Sequence, residues 1–352
     1  MSDAQDRNVD VLVIGAGIAG LAAAAEAARA GRSVAVLDVR SAGGRARSDE
    51  RDGYVLNQGP HALYRSGPGS AVLAALGLEL PGGSPASEVF GWRSGRFDRL
   101  PTSTSSLVSS RLLGWRAKLK LAKLLGTFGR LDAASLSLLS AAGWVRSLRL
   151  PDDGSAVITT LLRVATYAPD LEAISADAAV RQLQLAQQGG VSYLHGGWSR
   201  LVEGLARAAG EAGAVLVEGE RATGRLVRAA RAGSWHVPSA QGSWTAGAVV
   251  VAVGGPAAAR ALLPIDPHWD LGEDVTAACL DLGLKRAPER RVAFGLDEPL
   301  YFSTHSPTAD LAPPGAAMVH VMRYGARSSD EDRGQLRAFA EAAGVRKDDV
   351  VV

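Results

Sequence analysis

The stretch VDVLVIGAGIAGLAAAAEAARAGRSVAVLD, Val9 to Asp38, decides the fold. Val9 to Ile14 is a short run rich in Val and Ile, as expected of a strand covered on both faces. Gly15-Ala16-Gly17-Ile18-Ala19-Gly20 follows at once, with the full G-x-G-x-x-G spacing. In that spacing the first glycine permits a tight turn, the second lets backbone approach a pyrophosphate, and the third lets helix and strand pack closely. Ile18 to Ala30 is rich in alanine and favours helix, and the amides and dipole at its start suit an anion. Gly31 stands where a helix cap belongs, and Ser33 to Leu37 reads as the next strand, ending at Asp38. An acid roughly 20 residues beyond the glycines can take both hydroxyls of an adenosine ribose. A tight turn in some other α/β unit would explain the glycines alone. It would not explain strand, turn, helix, cap, strand and acid in this order. The stretch predicts a dinucleotide site. Asp38 would repel a ribose 2′-phosphate, while Arg40, just past Val39, could attract one.

Which dinucleotide binds is decided downstream. Gly43-Gly44-Arg45-Ala46-Arg47 begins five residues after Asp38, and DGYVLNQGPHALY runs from Asp52 to Tyr64. An NAD domain would continue into another βαβ repeat. Here a second glycine turn carries arginines that could meet a pyrophosphate from the other side. A short strand, Tyr54 to Leu56, and a turn at Gly59-Pro60 come next. Later, Gly254-Gly255-Pro256 lacks the G-x-G-x-x-G spacing, and no other stretch repeats it. No second dinucleotide site is expected, so FAD is favoured over an NAD(P)-binding module. Electrons would leave to oxygen, a quinone or another acceptor.

These motifs together resemble the FAD-dependent amine oxidase, protoporphyrinogen oxidase and phytoene desaturase superfamily. The resemblance rests on GAGIAGLAAA, an acid, GGRA, and then D-G-x-x-x-x-Q-G-P-H. AACLDLGLKR (Ala277 to Arg286) and DEPLYFSTHSP (Asp297 to Pro307) look most like the phytoene desaturase branch. It covers nearly the whole chain and implies an α/β fold: a discontinuous, Rossmann-like FAD/NAD(P)-binding domain with an α+β substrate domain. It implies FAD held by Gly15, Ala16, Gly17, Ile18, Ala19 and Gly20 at the pyrophosphate, and by Asp38, with Val39 and Arg40, at the ribose. Gly44, Arg45 and Ala46 would bracket the phosphates and ribityl chain, and Gly59, Pro60, His61 and Ala62 would lie beside the isoalloxazine ring. In VEGERATGRLV the family carries a valine whose backbone meets the adenine, and Ala222 stands at that place. His61 is the one catalytic candidate, weighed evenly against a structural role in its loop. Lys285 falls near a flavin-facing lysine of amine oxidases, but reads as an exposed strand end and receives no catalytic role. The activity implied is hydride abstraction from a small apolar substrate, leaving a double bond. The alternatives are an amine or protoporphyrinogen oxidase, and a non-catalytic flavin-binding remnant.

The remaining sequence sets bounds. A length of 352 residues allows two domains, expected at 1–66 with 190–265 for FAD, and 67–189 with 266–352 for substrate. A net charge of +2 gives no reason to expect nucleic acid. The single cysteine, Cys279, and the absence of a leader or a membrane-length apolar run fit a cytoplasmic protein. Six histidines without ligand spacing predict no metal site. Val89 to Leu100 reads as a hairpin turning at Ser94-Gly95, and Thr102 to about Gln188 as largely helical. Thr102 to Leu131 contains Arg111, Arg116, Lys118, Lys120, Lys123 and Arg130 but no acid. A helix with a solvated cationic face is the first reading, and peripheral contact with an anionic membrane the second. Ser199 is expected to cap a helix, Ala214 to Val217 to be a buried strand, and Thr223 to Val227 and Trp235 to Val237 to be short β segments. Ala248 to Val253 reads as an apolar strand, and Asp281 to Tyr324 as further strands. The chain ends at VRKDDVVV, read as the start of a new strand, before the Gly-Asp motif with which the family closes over FAD.

Overall fold

The structure is a computed structural model that describes residues 6–101, 104–230, 233–269 and 271–352. The chain forms two compact units, each assembled from three segments. The first holds the residues up to Asp49, Pro68–Leu80 and Gly196–Leu271; the second holds Glu50–Gly67, Pro81–His195 and Gly272–Val352. These limits depart from the expected ones in four short pieces. Pairing explains two of them. The guanidinium of Arg29 donates to the carbonyls of Ala75 and Leu76, which ties Pro68–Leu80 to the first unit. The strand Val191–Leu194 pairs with Leu63–Tyr64 and Gly82–Gly83, all in the second.

The first unit is built on β1 (Asp6–Ile14), α1 (Ile18–Arg29), β2 (Val34–Asp38), β3 (Val215–Glu218), β4 (Trp235–Ser239) and β5 (Gly242–Val251). Its sheet runs β3-β2-β1-β5-β4, closed by the short strand Val227–Arg228. The first four are parallel, with Ile14 opposite both Leu37 and Val251. Leu12 and Val13 are wholly buried, as a central parallel strand requires. Gly20, Leu21, Ala24, Ala25 and Ala28 form the buried face of α1, which packs beside the helix Ser199–Glu211. Gly31, at φ +76, ends the turn after α1.

Four expectations need correction here. Ser199 is the first helical residue rather than a cap, because its hydroxyl is directed back to the Gly196 carbonyl. β3 lies at the sheet edge and is largely exposed, so its apolar residues do not mark a buried strand. Of Thr223 to Val227, only Val227 joins a strand; Ala222 forms an isolated bridge with Ser239 instead. β5 is ten residues long and begins at Gly242, because its first half pairs with β4 as a hairpin.

The second unit carries β6 (Ala277–Leu284), β7 (Val292–Gly295), β8 (Leu300–Thr304) and β9 (Ala317–Tyr324). Their sheet runs β6-β9-β8-β7 and continues into the hairpin Phe90–Arg93 and Arg96–Arg99. Alternation along the strands sends Phe302, Val319 and Val321 to one face, under the helix Asp330–Ala342 with its Leu336 and Phe339. Tyr301, Met322 and Tyr324 point to the other face, in one core with Trp144 and Leu162 of the helical segment. That segment includes α2 (Trp115–Phe128). At the chain end Lys347–Asp349 is a single 3₁₀ turn, and the last residues then pair with β6: Val350 bridges Leu284, the Val351 amide donates to the Gly283 carbonyl and the Gly283 amide to Val352 O. Asp349 pairs with Arg286 at 3.0 Å and Lys285 Nζ donates to the Asp348 carbonyl, which holds that turn in place. No helix among the described residues is long and apolar enough to cross a membrane.

Candidate functional site

In the first unit the loop between β1 and α1 shows which glycines serve the protein and which serve something else. Gly15 has φ +108, and a Cβ there would lie 2.4 Å from the Ala252 carbonyl oxygen. At Gly20 a Cβ would lie 1.8 Å from the Gly15 oxygen. Protein packing demands both. A Cβ at Gly17 would meet nothing within 4 Å. Gly17 precedes α1 with no side-chain cap, and the first turn holds no acid. The partnerless amides of that turn and the positive end of the dipole therefore open onto clear space.

The second glycine turn is tied to the first. Gly43 N–H donates to Ala16 O at 2.8 Å, and Gly17 and Gly43 form a bridge. Arg47 is half-buried, and its Nε, shielded from solvent, has no hydrogen-bond partner among the described residues, which suits it to an anion. Asp38 ends β2 and accepts the Ala16 and Arg40 amides at 2.8 and 2.9 Å. Since β2 and β5 flank β1 on opposite sides, this loop lies where the strand order changes direction, the usual ligand position in such sheets. Ala222 sits in a bridge whose bonds run Thr223 N–H to Pro238 O and Ala240 N–H to Arg221 O. Its own amide and carbonyl thus point away from that ladder, as a backbone contact with a base would need.

One residue of this region escaped sequence reasoning. Glu220 lies within the quoted VEGERATG but is wholly structural. It pairs with Arg7 and accepts from Ser239 Oγ at 2.5 Å and Trp244 Nε1 at 3.1 Å. Burial alone would raise its pKa, but these partners hold the carboxyl below the usual range.

In the second unit, strand alternation gathers a polar and aromatic face. Register places Asp281 opposite His320 and His320 opposite Ser303; the next row is Cys279, Met322 and Tyr301. His320 Nδ1 donates to Asp281 Oδ1 at 2.7 Å. The other carboxylate oxygen receives the Gly59 amide at 3.4 Å. Gly59, at φ +86, carries the Gly59–Ala62 turn directly over Cys279: a Cβ there would lie 3.0 Å from Sγ. His61 Nδ1 is 2.8 Å from the Gly59 carbonyl, so one ring nitrogen is spent within its own loop. His305 stacks on Tyr193 at 3.6 Å, and Tyr193 and Ser303 share a hydroxyl hydrogen bond of 2.8 Å. Both His305 nitrogens are buried without a partner, and burial, with His320 and His61 nearby, pushes its pKa well down.

Around the Asp281 carboxylate, the other titratable groups of this face with displaced pKa values are held uncharged. Burial pushes up Tyr167, Tyr193, Tyr301 and Tyr324, and, with Asp281, pushes the Cys279 thiol up to about 12. Tyr167 and Cys279 nonetheless keep solvent-accessible surface. Tyr167 OH donates to the Pro60 carbonyl at 3.1 Å, fastening the turn from a second side. Lys285 does not join this face. Of the site, sequence reasoning named only the turn; Asp281, His305, His320 and the tyrosines were missed.

A parallel-stranded core with a glycine turn and an uncapped helix start at its switch point defines a dinucleotide-binding α/β protein. Residues 18–300 match the flavin containing amine oxidoreductase family, and the chain belongs to that family. It is an FAD-dependent oxidoreductase. A putative flavin-containing monoamine oxidase of Mycobacterium tuberculosis is 28% identical over 372 aligned positions, which cover 96% of this chain and 80% of that protein. Among solved structures, putrescine oxidase bound to putrescine is 20% identical with a TM-score of 0.74, covering 99% of this chain and 84% of that one. Cyclohexylamine oxidase from Brevibacterium oxydans is 18% identical with a TM-score of 0.69, covering 98% and 83%. At these identities the structural likeness is one of fold. These named relatives are amine oxidases, not phytoene desaturases. The cradle fits the cofactor: an open helix start and the orphan Arg47 nitrogen for the pyrophosphate, and an acid for the ribose.

Proposed function

We propose that the protein dehydrogenates a small, mainly apolar primary amine, taken as its free base. The observation that carries this reading is the mostly uncharged, aromatic face of the second unit, with Asp281 as its engaged carboxylate. That carboxylate is already engaged by His320 and the Gly59 amide, so an ammonium ion would compete with both for it. The tyrosines stay protonated and His305 stays uncharged. Such surroundings disfavour the ammonium form and favour the free amine, whose lone pair assists loss of hydride from the adjacent carbon. FAD, when bound, accepts that hydride. The amine becomes an imine, which water cleaves to a carbonyl compound and ammonia. Electrons pass on to oxygen, a quinone or another acceptor.

Within the chain, Gly15–Gly20, Gly43–Arg47, Asp38 and the Ala222 backbone are assigned to the nucleotide. The Gly59–Ala62 turn is assigned to the ring. Asp281, His320 and Tyr167 fix that turn; the aromatic wall excludes water. Desaturation of an apolar hydrocarbon is the second reading, favoured by the same mostly uncharged face. Anaerobic mixing of the flavin-loaded protein with aliphatic and aromatic primary amines, and separately with polyenes, tests both. Bleaching by amines, faster as pH rises through the amine's own pKa, is expected. Bleaching by polyenes alone would establish the second reading, and bleaching by neither would sink both.

A further inference from the structure

A helix covering a protein core needs one apolar stripe, and α2 has two. Ala117, Leu121 and Phe128 form the buried one. Trp115, Leu119, Ala122 and Gly126, spaced i, i+4, i+7 and i+11, form a second line that faces solvent. Trp115 is 67% exposed and Leu119 64%. Val108, 71% exposed, lies alongside, since Lys118 Nζ donates to its carbonyl at 2.6 Å. Scattered exposed apolar residues are ordinary; three together, one a tryptophan, mark a contact surface.

The surroundings of this line are cationic. Arg116, Lys118, Lys120 and Lys123 lie on α2, with Arg111 before it and Arg130 after it. None of the six enters an ion pair among the described residues. Lys120 donates to the Arg149 carbonyl, which adds a seventh cation nearby. Two acids of neighbouring segments bond backbone: Asp153 receives the Gly114 amide at 2.6 Å and Asp132 the Ala134 amide at 3.0 Å. Fourteen residues make a helix about 21 Å long, suited to lying along an interface.

We propose that this outer face of α2 docks on an anionic phospholipid surface. Trp115, Leu119 and Val108 enter the boundary between headgroups and acyl chains, and the flanking cations meet lipid phosphates. A polyanion such as nucleic acid would use the cations but give no role to an outward Trp and Leu. The proposal is independent of which substrate is oxidised.

The test is cosedimentation of the full chain, loaded with FAD, with vesicles of phosphatidylcholine alone or mixed with phosphatidylglycerol. Binding to the mixed vesicles, reversed by salt, is expected. The double variant Trp115→Ser/Leu119→Ser should bind at least about ten-fold more weakly. Each of Arg116→Gln, Lys120→Gln and Lys123→Gln should cost roughly five-fold. All five side chains are solvent-facing, so melting temperature and flavin spectrum should match the parent. Failure of the parent to bind mixed vesicles at low salt overturns the proposal. So does undiminished binding by the variants, which would locate the contact elsewhere. Loss of binding in the cation variants but not in the Trp115/Leu119 variant, with equal binding to duplex DNA, would show a polyanion site instead.

Discussion

Asp281 is one side chain with two obligations, and each makes a different demand on its chemistry. Its charge orders His320, and its second oxygen anchors the Gly59 amide. Asparagine keeps the shape and one acceptor but loses the charge. Asp281→Asn is therefore expected to retain flavin yet lower the rate of anaerobic flavin reduction about ten- to hundred-fold, the equivalent of one charge-assisted hydrogen bond. Stopped-flow traces matching the parent would remove Asp281 from any positioning role. Glu220 makes the contrasting case, since its work is stability. Breaking a buried pair leaves Arg7 beside a neutral group, and Glu220→Gln is expected to cost about 3 kcal/mol in urea unfolding at neutral pH. Because its folded pKa lies below the ordinary carboxyl value of 4.5, that stabilisation is complete above 4.5 and disappears as pH falls through the folded value. The gap between parent and variant should close in acid; a gap that persists there would mean that the charge was not the cause.

At the scale of elements, the loop from β1 to α1 makes a prediction that separates folding from binding. A methyl group at Gly20 collides with backbone oxygen, which cannot move without displacing the turn. Gly20→Ala is expected to cost about 3 kcal/mol or more, read as poor yield of soluble, folded protein. At Gly17 the methyl group meets only open space. Gly17→Ala should melt within a degree or so of the apoprotein parent but take up FAD at least ten-fold more weakly, because it occupies the ground where the pyrophosphate approaches. Equal FAD affinity in isothermal titration would show that the cofactor lies elsewhere. This loop was legible in the sequence because its contacts are local: Asp38 and Ala16 meet across 22 positions within one strand–helix–strand unit. The face of the second unit was not. Residues 301, 303 and 305, and 320, 322 and 324, alternate plainly enough for strands. Asp281 reaches His320 only because β9 lies between β6 and β8, and no spacing in the chain records that order. Glu220 was hidden for the same reason: its partners Arg7, Ser239 and Trp244 come from three strands. β3 misled in the opposite way, since an apolar run reads as buried whether it sits at the centre of a sheet or at its edge.

Across the whole molecule both units hold carboxylates below the usual range, Glu220 in the first and Glu172, Asp177 and Asp332 in the second, but the displaced neutral groups fall in one unit only. The first relies on an ionised carboxylate at Glu220, while every tyrosine, cysteine or histidine with a displaced pKa lies in the second. All six tyrosines are there, and burial pushes each upward. For such a group the unfolded chain loses its proton first, so stability is intact below the ordinary value of 10.0 and is lost as pH rises above it. His305 sets the acid side. Its folded pKa is well below the ordinary 6.5, so the unfolded chain gains its proton first, and stability is lost as pH falls below 6.5. The second unit should thus be most stable between these limits, with the buried Tyr193, Tyr301 and Tyr324 ionising only on unfolding. Phenolate absorbance followed with circular dichroism checks this: the two should change together above pH 10. Phenolates of the buried Tyr193, Tyr301 and Tyr324 appearing while the ellipticity is intact would refute a closely packed face. His305→Phe preserves the stacking on Tyr193 without the titrating group. It should leave the alkaline limb unchanged and flatten the loss of stability just below 6.5, before Glu172, Asp177 and Asp332 add theirs at lower pH.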